Sequence, residues 1–318
     1  MTIIVSHLWP DLDSVTSIWL LKRFGGYEDA ELAFIPTGTT LDGKPADSDP
    51  DIIHVDTGQG RFDHHQEEVH GHHVCSAKLV WQAVKPEDPA LGRVIDYVTQ
   101  QDNGLIEPWL QNDGWGWGGI LRGLNLHYPT EPLKVAEAML PIMDGWYAWA
   151  QELEEVDRQF HKRIEFETPW GKAAAFEGDL GGIRGFSFRQ GAVIFVRRTT
   201  QGWIGIEGRV RHHIDLTPVY QHVRQLEPEA DWFLHASKRL LLCGGWKHPA
   251  VHPSRLSLAE VIEILKTGPA TDSEQQSGGW GADPHLGTPS PSSARTPSQI
   301  GENTRGTQTE ISQRCGKE

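Results

Sequence analysis

The sequence predicts an α/β fold: a parallel-sheet N-terminal domain followed by a smaller C-terminal α/β (α+β) domain. Three observations carry this. Short aliphatic runs alternate with helix-like runs through the first third of the chain, the order that builds a parallel sheet. Beyond Pro169 the pattern changes to short strand-like pieces. A length of 318 residues with 38% hydrophobic content is enough to bury more than one core.

TIIV (2–5) reads as a buried strand. Residues 14–24 carry Val15, Ile18, Trp19 and Leu21 at helical spacing and stop at Gly25-Gly26, with Asp13 in the N-cap position. ELAFIP (31–36) and DIIHVD (51–56) are further strands, and GRFDHH (60–65) is a short extended piece. Residues 75–84 and 89–102 are helical. Residues 132–166 form a long helical stretch with a break at Pro141, suited to bridging two domains. GKAAAF, GAVIFVRR, GWIGIEGRV, DWFLHA and RLLLCGG are strands, with a helix over DLTPVYQHVRQL. SLAEVIEILK closes the ordered part, with Ser257 as its N-cap. The domain boundaries expected are 1–130, a helical connector over 131–167, and 168–266. Residues 267–318 are dominated by Ser, Thr, Gly, Pro and Gln without apolar periodicity, the composition of a disordered tail.

Composition excludes several classes. Cys75, Cys243 and Cys315 are far apart and form no CxxC pair, so a cysteine-rich zinc site is not expected. Sparse, unpaired cysteines suit a reducing compartment, and a cytoplasmic location is expected. No signal-peptide pattern opens the chain and no run reaches 18 apolar residues, so neither secretion nor a membrane partner is expected. Net charge is −14. Residues 1–130 hold 8 Lys+Arg against 19 Asp+Glu, whereas 168–266 hold 13 against 9 and six histidines. An acidic half beside a basic half suits a cation site that faces an anionic substrate.

Polar residues cluster where the first-domain elements end: His7, Asp11, Asp13, Asp56, Asp63, His64, His65 and Asp102. Carboxylates crowded together resist ionisation without a cation. Neutral imidazole and carboxylate together suit Mn²⁺, Mg²⁺, Fe²⁺ or Zn²⁺, and the lack of thiolates leans toward a hard ion such as Mn²⁺, with Mg²⁺ or Co²⁺ as substitutes. Eight such residues can serve two ions that share a bridging carboxylate.

HLWPDLDS, HVDTG, FDHHQ and QQDNG, in this order over about the first 105 residues, resemble the four motifs of the DHH phosphoesterase superfamily. FDHHQ soon after VDTG, then CSAKLVW, and later DWFLHASKRLLLCGG, are most similar to its Myg-type exonuclease branch. The RecJ-type nucleases carry a longer glycine run followed by His, where this chain has Gly244-Gly245-Trp246-Lys247-His248. The resemblance implies that His7 and Asp11 bind one metal and Asp13, His64 and Asp102 the second, with Asp56 bridging. It also implies that Asp63 orients an imidazole and that His65 faces the substrate phosphate.

The expected activity is divalent-metal-dependent hydrolysis of phosphodiester bonds in short single-stranded RNA or DNA, or in dinucleotides. A small-molecule phosphatase or pyrophosphatase, or a metal-binding regulatory protein that hydrolyses nothing, are the alternatives. A homodimer stays open. The net charge disfavours salt-driven binding of extended duplexes. Arg209, Arg211, Lys238, Arg239, Lys247 and Arg255 are candidate phosphate contacts. Lys238, Arg239 and Lys247 are preferred because they flank Gly244-Gly245, with His248 beside them. His70, His72 and His73 read as a solvated loop, and Trp115 and Trp117 as packing residues in a flexible stretch, with base stacking as the alternative role.

Overall fold

Ile3, Ile4 and Val5 have β-branched side chains that suit a pleated strand, and β1 (Ile3–His7) is the centre of a three-stranded sheet. β2 (Glu31–Ile35) and β3 (Ile52–His54) flank it, both parallel to it, with Ile3 opposite Glu31 and Ile52. The computed structural model describes residues 1–66, 73–106 and 116–267, which belong to one unit, Met1–Thr271. Of the expected tail, 267–318, Thr267 is the last residue of a helix, and the rest, with Cys315, lies outside the described residues, as do His70, His72 and Trp115.

α1 (Leu12–Phe24) makes the crossover from β1 to β2 and buries Val15, Ile18, Trp19 and Leu20. α2 (Ser76–Val84), α3 (Pro89–Asp102), α4 (Trp117–His127) and α5 (Pro132–Gln159) complete the first half. Ile4, Ile53, Leu91, Ile95, Met139 and Met143 meet in its core.

Several elements differ from the sequence expectation. α5 runs unbroken through Pro141, because Pro141 and Glu137 both sit on the exposed side, where the carbonyl that proline leaves free meets water. The long helix ends at Gln159 rather than continuing to 166, and β4 (Ile164–Thr168) begins soon after. α4 was hidden by its glycines. Its first residue, Trp117, packs against Trp146 at 4.6 Å, so the ring serves packing rather than a flexible stretch. GRFDHH is a turn, closed by the Asp63 amide donating to the Gly60 carbonyl, and not an extended piece.

β4, β5 (Gly171–Glu177), β6 (Ile194–Arg198), β7 (Ile204–Gly208), β8 (Trp232–Leu234) and β9 (Leu240–Cys243) form a six-stranded mixed sheet, in the order β4-β5-β6-β7-β9-β8. β5 and β6 are parallel across α6 (Gly182–Arg189), and the other neighbours are antiparallel. α7 (Thr217–Leu226) and α8 (Leu258–Thr267) supply Val219, Val223, Val261 and Leu265 to the core beneath the sheet. Ser257 caps α8 reciprocally with Glu260, each side chain accepting the other's backbone N–H. α5 places Met139 and Met143 in the first core and Val156 beside Phe176 and Ile183. No helix among the described residues is long and apolar enough to cross a membrane.

Asp88 ties α3 to α5. It accepts the amides of Ala90 and Leu91 at 3.0 and 3.1 Å, and the Tyr147 hydroxyl at 2.6 Å. Burial alone would raise its carboxyl, but the Tyr147 bond, the Leu91 amide and Lys85 outweigh this and hold it below the ordinary range. Its stabilisation is therefore complete above the unfolded carboxyl value and fades as pH falls through the lowered folded one. Asp88→Ala should cost about 1–2 kcal/mol at pH 7. Urea unfolding at a series of pH values should show the gap to wild type narrowing in acid. A gap that is constant with pH would refute the charge-based role.

Candidate metal centre

The carboxyl ends of parallel strands are where ligands gather in open α/β sheets. His7 ends β1, Asp56 follows β3 by two residues, and Asp11 and Asp13 open α1. His64 and His65 come from the turn after β3, and Asp102 is the last residue of α3. Side chains from four separated segments thus meet at one end of the first sheet.

Three overlapping groups have ligand atoms within 4.8 Å of one another: His7, Asp11 and Asp56; Asp13, His64 and Asp102; and Asp56, His64 and His65. His7 Nε2 lies 3.1 Å from Asp56 Oδ2 and 3.7 Å from Asp11 Oδ2. His64 Nε2 lies 3.5 Å from both Asp56 Oδ1 and Asp102 Oδ2, and 3.7 Å from Asp13 Oδ2. Asp56 therefore faces both sides. Its backbone is in the left-handed region (φ 55°), which aspartate tolerates better than most residues and which marks a constrained position.

The supporting bonds differ from expectation at one point. The N-cap of α1 is Asp11, not Asp13: Asp11 and Ser14 each accept the other's amide at 2.9 Å. Asp13 instead reaches across to α2. Its two oxygens accept the Ala77 and Ser76 amides, both at 2.7 Å, at that helix's N-terminus. An N-cap beginning a helix was readable from the sequence, but a carboxylate of one helix capping another was not.

Asp63 accepts the Gln59 amide at 2.7 Å, and its other oxygen takes both the His65 amide and the His65 Nδ1–H. It so fixes His65, whose ring lies 4.1 Å from that of His64 and is more than half exposed. Gln66 pins the same turn by donating to the Gly60 and Asp63 carbonyls.

Crowding governs the protons. Burial first, then the charges of Asp56, Asp102 and Asp11, push Asp13 well above the usual carboxylate range. Burial, with Asp11 and Asp56, raises Asp102 to about 6 against the opposing pull of His64. Burial would lower His7, but its bonds to Asp11 and Asp56 raise it to about 10. The same balance, with Asp56, Asp102 and Asp13 prevailing, raises His64 to about 9.

Two atoms test whether these residues suit cations. Asp56 Oδ1 and His64 Nε2 are buried and have no hydrogen-bond partner among the described residues. Buried polar atoms are ordinarily paired, so two unpaired ones turned toward each other suit a shared ion. The Cys75 thiol is buried, bonds Thr99 Oγ1 at 3.3 Å and is pushed up by burial, so it stays protonated and offers no thiolate.

The expected substrate contacts are scattered differently. Gly244, Gly245, Lys247 and His248 line an open cleft of about 710 Å³ on the second sheet, walled by Trp203, Phe233 and Trp246. Gly244 has φ 84°, and a Cβ there would collide with the Trp203 ring, so both backbone and packing demand glycine. Lys238 and Arg239 do not flank it. They precede β9, at its far end from Gly244, because the four residues of the strand intervene. Lys238 pairs with Asp215 at 3.3 Å. Arg209, Arg211 and Arg255 are exposed, as is His73.

Asn125 escaped the sequence reading because α4 did. It is buried, and its amide donates to the Pro10 carbonyl at 2.8 Å and to Leu121 at 3.1 Å. It holds the loop between His7 and Asp11.

Neither a family model nor a curated protein sequence matches the chain. Among solved structures, a DHH-domain protein described as a member of a family of ribosomal proteins overlaps with a TM-score of 0.31 and 12% identity, over 84% of this chain and 86% of that one. An uncharacterized protein from Helicobacter pylori overlaps with a TM-score of 0.23 and 11% identity, over 83% and 99%. Overlaps this low say nothing about the chemistry of the site.

Asn125→Leu leaves the buried Pro10 carbonyl unpaired and should cost about 1–3 kcal/mol in urea unfolding. Unchanged stability would show that Asn125 does not hold the loop.

Proposed function

We propose that this chain is a phosphoesterase of the DHH superfamily, nearest its Myg-type branch, that hydrolyses phosphodiester bonds in short single-stranded nucleic acid or dinucleotides. The observation that carries the reading is the convergence of the four motif segments on Asp56, with Asp56 Oδ1 and His64 Nε2 left without a partner. His7, Asp11 and Asp56 would hold one divalent cation and Asp13, His64 and Asp102 a second, with Asp56 common to both and Mn²⁺ the proposed ion. Such cations, when bound, lower the pKa of an attacking water and offset charge developing on phosphorus.

The chain's own residues do the rest. Asp13, held by two amides of α2, keeps its oxygens in place without relying on solvent. Asp63 fixes His65 by accepting its Nδ1–H, which leaves Nε2 to meet a phosphoryl or leaving-group oxygen. In the reaction the water oxygen bonds to phosphorus, the ester P–O bond breaks, and the departing oxygen takes up a proton. No serine or cysteine nucleophile is required, and Cys75 is not available as one.

The cleft beside Gly244 supports a base-bearing substrate over a compact anion. Trp203 and Trp246 meet edge to face at 5.4 Å, and Arg197 and Lys247 add positive charge to the same lining. Aromatic faces with nearby cations suit single-stranded nucleotides.

The test follows labelled two- to twelve-mer RNA and DNA, and pyrophosphate, with the full chain in Mn²⁺ or chelator. Mononucleotide release should require Mn²⁺. Asp56→Asn should lower it by more than the ~10–100-fold that loss of an outer-shell partner costs. Full activity in that variant would sink the mechanism, and orthophosphate from pyrophosphate alone would sink the substrate class.

Proton linkage gives a second check. His7 at about 10 and His64 at about 9 carry protons at neutral pH that a cation must displace. Mn²⁺ binding at pH 7 should therefore release protons, and affinity should climb with pH toward those values. Calorimetry in two buffers of different ionisation enthalpy measures the release, and zero release would contradict the ligand set.

A further inference from the structure

Three residues, Leu8, Trp9 and Pro10, separate His7 from Asp11, and the backbone is pinned on either side of Trp9. The Leu8 amide donates to the Ile35 carbonyl at 2.9 Å. The Pro10 carbonyl accepts from Asn125 at 2.8 Å, and the Asp11 amide donates to Ser14 Oγ at 2.9 Å. Pro10 itself is buried.

On this fixed loop stands a large aromatic ring in water. Trp9 is 47% exposed and Leu8 48%. Trp9 belongs to no apolar cluster and to no aromatic or cation–π pair among the described residues. Trp19 and Trp117, by contrast, are packed against other rings. A single exposed apolar residue needs no explanation in general. The position of this one does: its chain neighbours on both sides are pinned, and the residues two before and two after it belong to the same three-residue candidate metal group. Trp9 thus stands on the loop that carries two of that group's three side chains, two residues from each. A rigid indole there loses little entropy on contact, and its face is complementary to a planar, π-rich ring.

We propose that Trp9 is a specificity-determining residue of this centre: its exposed indole stacks on the base adjoining the phosphate held at the cluster, so that the chain selects base-bearing phosphodiesters over base-free ones. The inference rests on the phosphoesterase reading and names what that site discriminates. It differs from the aromatic cleft on the second sheet, because it concerns a ring on the loop that carries His7 and Asp11.

The experiment compares two dinucleotide analogues whose bridging ester oxygen is replaced by a methylene group, so that neither is cleaved. One carries both bases and the other is abasic beside the linkage. Binding to the full chain in Mn²⁺ is read by calorimetry for wild type, Trp9→Ala and Trp9→Phe. Stacking on one aromatic side chain predicts that wild type prefers the base-bearing analogue by ~10-fold or more. Trp9→Ala should lose that preference while binding the abasic analogue as wild type does, and Trp9→Phe should keep much of it. Equal affinities in wild type, or a preference that survives in Trp9→Ala, would overturn the proposal while Mn²⁺-dependent hydrolysis leaves the phosphoesterase reading standing. Wild type that binds neither analogue would overturn the proposal, and the phosphoesterase reading would then fall only if Mn²⁺-dependent hydrolysis is also absent. A Trp9→Ala protein that loses both analogues equally would show a structural role instead and overturn the specificity claim.

Discussion

The repulsion among Asp13, Asp56 and Asp102 is the constraint around which the first half of this fold is arranged. Like charges brought together out of water are costly, and three devices hold them. His7 and His64 stand between the carboxylates and carry raised proton affinities in response. The Ser76 and Ala77 amides fix Asp13 from the positive end of α2. The left-handed backbone at Asp56 turns the chain sharply just beyond β3, within two residues of that strand's last position. Each device uses a backbone element that also builds the core, so the cluster could not be loosened without disturbing helix starts and strand ends.

That coupling explains why the elements were easy to read and their junctions were not. Strand and helix runs follow from apolar spacing: α3 spans Pro89–Asp102 as its periodicity requires, and each of the three parallel strands overlaps its apolar run. What spacing cannot convey is tertiary compensation. Pro141 should break a helix, yet a helix anchored by Met139 and Met143 on its inner face tolerates one free carbonyl on the outer. Trp117-Gly118-Gly119 should not start a helix by propensity, yet Trp117 and Leu121 find partners in the core. Local preference is weak beside burial, and these are places where burial decided.

The site divides the same way. Its acidic and imidazole residues were visible because each stood at an element's end and matched a known motif order. Their mutual distances were not, and neither was the division of labour in which Asp11 caps its own helix while Asp13 caps the next. Asn125 and Trp9 left no such signal. An asparagine within a glycine-rich helix and a tryptophan inside a motif look ordinary until the fold shows what they touch or fail to touch. Lys238 and Arg239 do not flank Gly244 for a geometric reason: proximity in sequence is lost across an extended strand, where each residue adds ~3.3 Å.

A centre built this way carries its chemistry in the loops' stiffness more than in the identity of one residue. The Leu8–Pro10 loop and the turn from Asp56 to Gln66 are short, and both are closed by side chain–backbone bonds from Asn125, Asp63 and Gln66. Short closed loops resist the spreading that like charges would otherwise drive, so the carboxylates stay close together instead of relaxing apart into solvent. They also hold what projects from them. His65 and Trp9, one polar and one apolar, are half exposed on these two loops. The cost of bringing these charges together is thus met by surroundings whose backbone is tied by side chains, the kind of support that holds a constellation of groups in one geometry.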